Sequence, residues 1–158
     1  MDRAQFISSV EAVQQPLRRF LTALCCGDRQ LADDIAQESL IKAYLSSNGL
    51  NDPDRFKAWL YRIAYNTFIN SKRGSALTVG YSAAANIVSV ETSDSAFRYE
   101  ALYKALGQLP EKERTSVLLF YLEGYSVKEI AAISAASENA VKQQLSRGRQ
   151  HLRDLLNR

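Results

Sequence analysis

Apolar residues recur at three- and four-residue spacing over most of this chain, the period of an α-helix with one buried face. The first such stretch runs from Arg3 to about Cys26, with a bend allowed at Pro16, and Gly27-Asp28 closes it and opens the next. Leu31 to Leu45 forms a second, with Leu31, Ile35, Ala36, Ser39 and Ala43 able to pack inward while Asp33, Asp34, Gln37, Glu38 and Lys42 stay polar. The segment Ser46–Asp54 breaks the pattern, and a third helix is predicted from about Arg55 to Lys72. Between Arg73 and about Ser95 the periodicity fades into small and polar residues, which predicts a flexible linker over 74–95; an ordered surface loop is the alternative. Helical spacing resumes near Phe97, stops at Leu109-Pro110, and returns over Glu111–Gly124 with acid at its start and glycine at its end.

The sharpest local signal follows. Ser126 and Glu129 form an S-x-x-E capping box before a short helix whose Ile130, Ala131 and Ile133 face inward. Ser134-Ala135-Ala136 can turn the chain, and Ser137 caps a last, longer helix. Two helices joined by so short a turn, the second of them basic, make a helix-turn-helix pattern. On the last helix Val141, Leu145, Gly148, Leu152 and Leu155 form the predicted buried seam. Asn139, Lys142, Gln143, Ser146, Gln150 and Arg153 lie opposite, with Arg147 and Arg149 at the flanks. Amides and hydroxyls read base edges in a major groove, and Lys and Arg hold phosphates or guanines.

The third helix carries a second unusual face. At about 100° per residue, Trp59, Arg62, Asn66, Asn70 and Arg73 fall within roughly 80° of one another. Leu60, Ile63, Ala64, Thr67 and Phe68 cover the other side. Amides, guanidinium groups and an indole on one face can stack on unpaired bases and bond their edges. The same face also reads as a solvated surface with Trp59 partly in the core.

Composition narrows this picture. In 158 residues there is room for one ordinary domain or two small ones, and 7 Gly with 3 Pro favours long helices over many short strands. The expected fold is therefore all-α, with two small helical domains (1–73 and 96–158) joined by the linker, the second holding the helix-turn-helix. Modules this small are marginal alone, and the sequence permits both a closed form in which they pack together and an open one. No apolar run approaches the ~18 residues of a membrane helix, and the N-terminus lacks a signal segment; a cytoplasmic protein without membrane insertion is expected.

The net charge of +3 is modest, yet from Glu138 onward five cations (Lys142, Arg147, Arg149, Arg153, Arg158) and His151 meet only Glu138 and Asp154. That is where a phosphate-facing helix wants positive charge. Cys25 and Cys26 are neighbours that point about 100° apart on a helix, and they read as buried thiols. A lone histidine without a Cys/His cluster predicts no metal. The chain also lacks a phosphate loop, a nucleophile elbow and a two-histidine metal motif; a non-enzyme without cofactor or small-molecule substrate is expected.

Taken together, LADDIAQESLIKAY (31–44), FKAWLYRIAYNTFINSKR (56–73), Gln108-Leu109-Pro110 and GYSVKEIAAISAASENAVKQQLSRGRQHLR (124–153), in this order and spacing, resemble the small two-domain sigma factors of bacterial RNA polymerase, the extracytoplasmic-function type. The resemblance runs from about residue 5 to 156. It implies a promoter-specificity factor that binds core RNA polymerase, recognises two promoter boxes and assists melting of promoter DNA, with an anti-sigma factor as a further partner. It places Asp34, Gln37, Glu38, Ile41 and Lys42 on the polymerase clamp. The segment 48–55, with Asn48, Asn51, Asp52 and Arg55, would form a pocket for a base flipped from the minus-ten box, bordered by Asn66 and Asn70; this agrees with the face that also presents Trp59, Arg62 and Arg73. Lys142, Gln143, Ser146, Arg147 and Arg149 match positions that contact the minus-thirty-five box, with Asn139 beside them.

Three departures stand out. Ala135 stands in the turn where the family usually has glycine or a similar small residue, which is tolerable unless a positive φ is required. Gln143 and Gln144 replace small and basic residues, so a different upstream sequence preference is expected. The basic run stops at Lys72-Arg73, which implies weaker minus-ten contacts or more dependence on polymerase. Two other functions fit parts of the chain: a dimeric regulator with a helix-turn-helix output, which leaves the third-helix face unexplained, and a sigma mimic that sequesters a regulator without promoter activity.

Overall fold

A computed structural model describes residues 1–50, 52–76 and 94–157, the side chains of 72–76 and 94–98 apart. It is all-helical over the described residues: α1 (Arg3–Leu24), α2 (Arg29–Leu45), α3 (Phe56–Ala76), α4 (Asp94–Gln108), α5 (Glu111–Tyr121), α6 (Val127–Ser134) and α7 (Glu138–Leu156). Short side-chain caps decide where most of them begin. Asp2 caps α1 in a capping box with Gln5, Asp28 accepts the Leu31 amide, and Ser126 and Glu129 close a capping box on α6. Pro16 is accommodated inside α1, which continues to Leu24. The fifth helix stops at Tyr121, three residues before the glycine expected to end it, and most of the predicted linker lies outside the described residues.

The two halves pack on each other. Helices α1, α2 and α3 form the N-terminal half around Leu17, Phe20, Leu21, Ile35, Leu60 and Phe68; α5, α6 and α7 close the C-terminal half around Leu119, Ile130, Ile133, Val141 and Leu145. The third helix also packs on α6, and α1 also packs on α4 and α5, so one apolar cluster runs through both halves. The α3 face that makes this possible was not singled out in the sequence: Tyr61 and Tyr65 are both buried. The Tyr61 ring meets Tyr125 edge-on at 5.7 Å, and the Tyr65 hydroxyl donates to Glu111 Oε1 at 3.0 Å.

Arg114 fastens the seam. Its guanidinium is buried and donates to three carbonyls: Leu24 at 2.8 Å, Leu106 at 2.8 Å and Leu109 at 3.3 Å. Leu24 ends α1 and Leu106 lies in the last turn of α4. Carbonyls at helix C-termini lack intrahelical partners and sit at the negative ends of helix dipoles, so one cation satisfies both ends at once.

In the helix-turn-helix, the turn residue Ala135 has φ +54° and ψ +43°. A positive φ is required here, so the alanine is strained where glycine would not be. On α7, Val141, Leu145 and Gly148 are buried, while Leu152 and Leu155, expected in the same seam, are only half-buried as the helix runs past its partners. Gly148 permits the close approach of α5: a Cβ there would lie 2.7 Å from Val117 Cγ2.

Two opposite stability changes follow. Ala135→Gly relieves the left-handed strain and raises unfolding free energy by about 0.5–1 kcal/mol, read as a higher urea midpoint at unchanged slope. Gly148→Ala forces α5 and α7 apart and costs about 1–3 kcal/mol, read in the same titration; a midpoint equal to wild type contradicts the close packing.

Candidate nucleic-acid interface

The basic face of α7 is open to solvent. Asn139, Lys142, Gln143, Ser146, Arg147 and Arg149 are all exposed, on the side away from Val141 and Leu145. Gln143 and Arg147 line a groove beside Pro110 together with Lys112, a cation that periodicity on α7 alone had no means of including. Arg149 donates to the Tyr121 hydroxyl at 3.1 Å, which anchors its guanidinium at the flank. Gln150 donates to Asp154 at 3.1 Å and is tied along the helix.

Gln144 turns the other way. Its Oε1 accepts the Ser116 hydroxyl at 2.7 Å, and Ser116 is fully buried on α5. The side chain therefore satisfies a buried polar group. Of the Gln143-Gln144 pair, from which a different upstream preference was expected, Gln143 is exposed and Gln144 is half-buried and tied to Ser116. His151 Nδ1 and Glu113 Oε1 are 2.6 Å apart, so the single histidine also joins α7 to α5.

On α3, Arg62, Asn66 and Asn70 are exposed on one face, as the helical register requires. Trp59 is half-buried, its ring 5.9 Å from that of Phe56 and tilted by 49°, so part of the indole belongs to the core. Arg62 donates to the Ala132 carbonyl in the last turn of α6 at 3.2 Å, a contact across the two halves. The Arg73 side chain and Asn51 lie outside the described residues.

The segment before α3 holds two 3-10 turns, Ser47–Gly49 and Pro53–Arg55. Buried Ser47 donates to the Tyr44 carbonyl at 2.8 Å and pins the first. Asp52 caps the second by accepting the Asp54 amide at 3.0 Å, and Arg55 Nε stands 3.6 Å from Asp52 Oδ2. Asn48, Asp52 and Arg55 are all exposed, which leaves amide, carboxylate and guanidinium groups facing water next to the α3 face.

On α2, Asp34, Gln37, Glu38 and Ile41 are exposed. Lys42 is half-buried: its ammonium lies 3.2 Å from Glu38 Oε1 and donates to the Thr67 hydroxyl at 3.3 Å, tying α2 to α3. Tyr44 and Leu45, 48% and 76% exposed, extend the apolar surface begun by Ile41 at 61%. Their spacing from Ile41 puts all three on one side of the helix, a signal already present in the sequence. Contiguous exposed apolar groups on a charged helix mark a surface for another protein.

Burial pushes the Cys25 thiol up to about 12, with Asp28 and Cys26 adding to the shift and Arg114 opposing it, so it stays protonated and a poor nucleophile at neutral pH. The Tyr65 phenol is raised by burial first and then by the Glu111 carboxylate. No group of three or more His, Cys, Asp or Glu suited to a metal occurs among the described residues, and no described helix is long and apolar enough to cross a membrane.

Two family models match the chain. The family model for sigma-70 region 2 matches residues 9–78, and that for sigma-70 region 4 matches residues 99–152. The ECF RNA polymerase sigma factor SigM of Bacillus subtilis is 30% identical over 145 residues, covering 89% of this chain and 88% of that protein. SigW of the same organism is 32% identical over 145 residues, covering 82% and 78%. Among solved structures, the sigma factor RpoE in complex with the anti-sigma factor NepR from Bartonella quintana superposes with a TM-score of 0.79 at 27% identity, over 96% of each chain. CnrH in complex with the cytosolic domain of CnrY shares the fold, with a TM-score of 0.73 at 23% identity over 99% of this chain and 90% of that one. With both sigma-70 regions in order and relatives matching over most of their length, the chain belongs to the ECF family of RNA polymerase sigma factors.

Proposed function

We propose that this sigma factor divides its work between its halves as the exposed faces suggest. Residues 1–73 dock on core RNA polymerase and handle the minus-ten box, residues 96–158 read the minus-thirty-five box, and 74–95 join them. The observation that carries this reading is the pairing, within one chain, of an exposed guanidinium–amide face on α3 with an exposed basic face on a helix-turn-helix.

Asp34, Gln37, Glu38 and Ile41 meet the polymerase clamp, with Tyr44 and Leu45 extending the apolar part of the contact. Lys42 acts at the border, since it also holds α2 against Thr67. Asn48, Asn51, Asp52 and Arg55 form the pocket for an unstacked base of the minus-ten box, with Asn66 and Asn70 at its edge. Trapping that base offsets an unstacking cost of about a few kcal/mol, which is how a protein without catalysis of its own assists melting. Trp59, Arg62 and Arg73 line the same strand. On α7, Asn139, Gln143 and Ser146 face base edges, while Lys142, Arg147 and Arg149 hold guanines or phosphates. Two weak contacts become specific when polymerase fixes their spacing, because the second is then intramolecular. The reading places the chain in the cytoplasm with the polymerase, and an anti-sigma factor is its expected antagonist, as NepR is paired with RpoE in the solved complex.

The decisive experiment mixes the purified protein with core RNA polymerase from its own source and maps transcription starts on genomic DNA. Discrete starts sharing two spaced boxes support the reading. Stable binding to core without starts makes the chain a sequestering mimic, and duplex binding as a dimer without core makes it a conventional regulator.

Two substitutions on α7 separate reading from packing. Lys142→Ala weakens upstream-box binding and lowers its salt slope by about one, with stability unchanged; wild-type affinity and slope would remove this face from the interface. Gln144→Ala leaves box preference unchanged and costs about 1–3 kcal/mol of stability, because the Ser116 hydroxyl loses its acceptor.

A further inference from the structure

Glu123, in the turn after α5, is the least well-satisfied charge in the seam between the halves. Its side chain is 1% exposed. The nearest cations are Arg19 of α1 and Lys57 of α3, and both stand 3.6 Å from its oxygens, close enough to attract but too far to hydrogen-bond. Oε1 accepts no hydrogen bond of good geometry. The Tyr61 hydroxyl sits against this carboxylate, and burial and then Glu123 raise its pKa, but it is not placed to donate well, and the Tyr125 hydroxyl beside it makes no hydrogen bond. The Lys57 ammonium lies over both rings, 5.7 Å from the centre of Tyr61 and 5.6 Å from that of Tyr125. Arg19, Lys57 and Tyr61 come from the N-terminal half and Glu123 and Tyr125 from the C-terminal half, so the cluster is complete only when the halves pack.

The two sides of this ion cluster are unequal. Arg19 and Lys57 keep 59% and 38% of their side chains in water, so separation costs them little. Glu123 gives up its hydration to enter the seam and is repaid by two long ion pairs. A buried ion pair with poor geometry is weaker than an apolar replacement of the same shape, since desolvation exceeds the Coulombic gain. Other polar contacts across the seam are well made: Arg114 to the Leu24 carbonyl, Tyr65 to Glu111, Arg62 to the Ala132 carbonyl.

We propose that Glu123 is a built-in release element: its under-compensated carboxylate destabilises the packed form relative to a form with the halves apart, and so keeps the seam ready to open. Opening also frees the Arg62 guanidinium from α6. The inference rests on the packed seam and not on the assignment of promoter contacts, so it stands or falls separately.

The protein carries its own reporter. Cys26 is buried in the seam, its sulfur 3.5 Å from where a Cβ on Gly107 of α4 would lie. Separation of the halves uncovers it to a small disulfide reagent, with mass spectrometry identifying the labelled residue and small-angle scattering giving the radius of gyration. Glu123→Met should slow labelling of Cys26 by about ten-fold and leave the particle at its most compact. Lys57→Met should do the reverse, speeding labelling by a similar factor and enlarging the particle, because Glu123 then keeps only Arg19. The double variant should follow Glu123→Met. Labelling of Glu123→Met at or above the wild-type rate makes Glu123 a latch and overturns the proposal. So does wild-type labelling no faster than global unfolding allows, since the seam then does not open by itself. If Glu123→Met fails to fold cooperatively, Lys57→Met decides alone: unchanged labelling overturns the proposal and faster labelling with a larger radius supports it.

Discussion

One buried guanidinium sets the geometry on which both halves depend. Arg114 has only carbonyl oxygens as hydrogen-bond partners, and those oxygens belong to the terminal turns of two helices and to the residue that leads into its own. A lysine has no planar fork with which to reach three acceptors in different directions. Because α1 ends in the N-terminal half while α4 and α5 begin the C-terminal half, the same side chain fixes both the internal corner of one half and its attachment to the other. Removing it would leave the Leu24 carbonyl with only the weak Cys26 thiol as donor and take the guanidinium from Leu109, while Leu106 keeps the Leu109 amide, so the seam closes less well around a smaller residue.

The third helix then has to serve three neighbours at once. Leu60, Ala64 and Phe68 turn toward α1 and α2, Tyr61 and Tyr65 turn toward α5, α6 and the segment between them, and Arg62, Asn66 and Asn70 are left for solvent. An apolar arc this wide leaves a narrow polar stripe, and in the packed form even that stripe is partly engaged through Arg62 and Ala132. The recognition face of α7 is under no such constraint. Its exposed cations and amides point away from the seam, so the proposed upstream surface is presented in the packed form, while the proposed minus-ten surface gives one residue, Arg62, to the seam.

What the sequence made legible follows the range of the interactions. Caps are written within four residues, and the Ser126–Glu129 box and the Ser137 cap appear where the local pattern placed them, with the helix-turn-helix between them. The exposed stripe of α3 and the outward set on α7 were equally readable, because a regular helix converts spacing into direction. Long-range partnerships were not. Nothing local marks Arg114 within an acid-led helix, Tyr61 and Tyr65 fall outside the two stripes that spacing defines on α3, and Gln144 stands next to Gln143 in sequence although an extra 100° of rotation carries it to Ser116. The requirement at Ala135 was recognised as a condition but could not be decided, since φ is a property of the turn once both helices are packed.

The closed arrangement is thus held by contacts of uneven quality. Good hydrogen bonds from Arg114, Arg62 and Tyr65 fix how the halves meet, and an apolar cluster continuous across the seam supplies most of the attraction. Glu123 sets the opposite tendency at the same interface. A factor whose two faces must reach DNA at a spacing imposed by a larger machine needs both: a defined seam protects small modules that are marginal alone, and an imperfect one lets binding energy elsewhere separate them. Improving every contact in the seam would stabilise the free chain, yet each gain would add to the work of any partner that separates the halves.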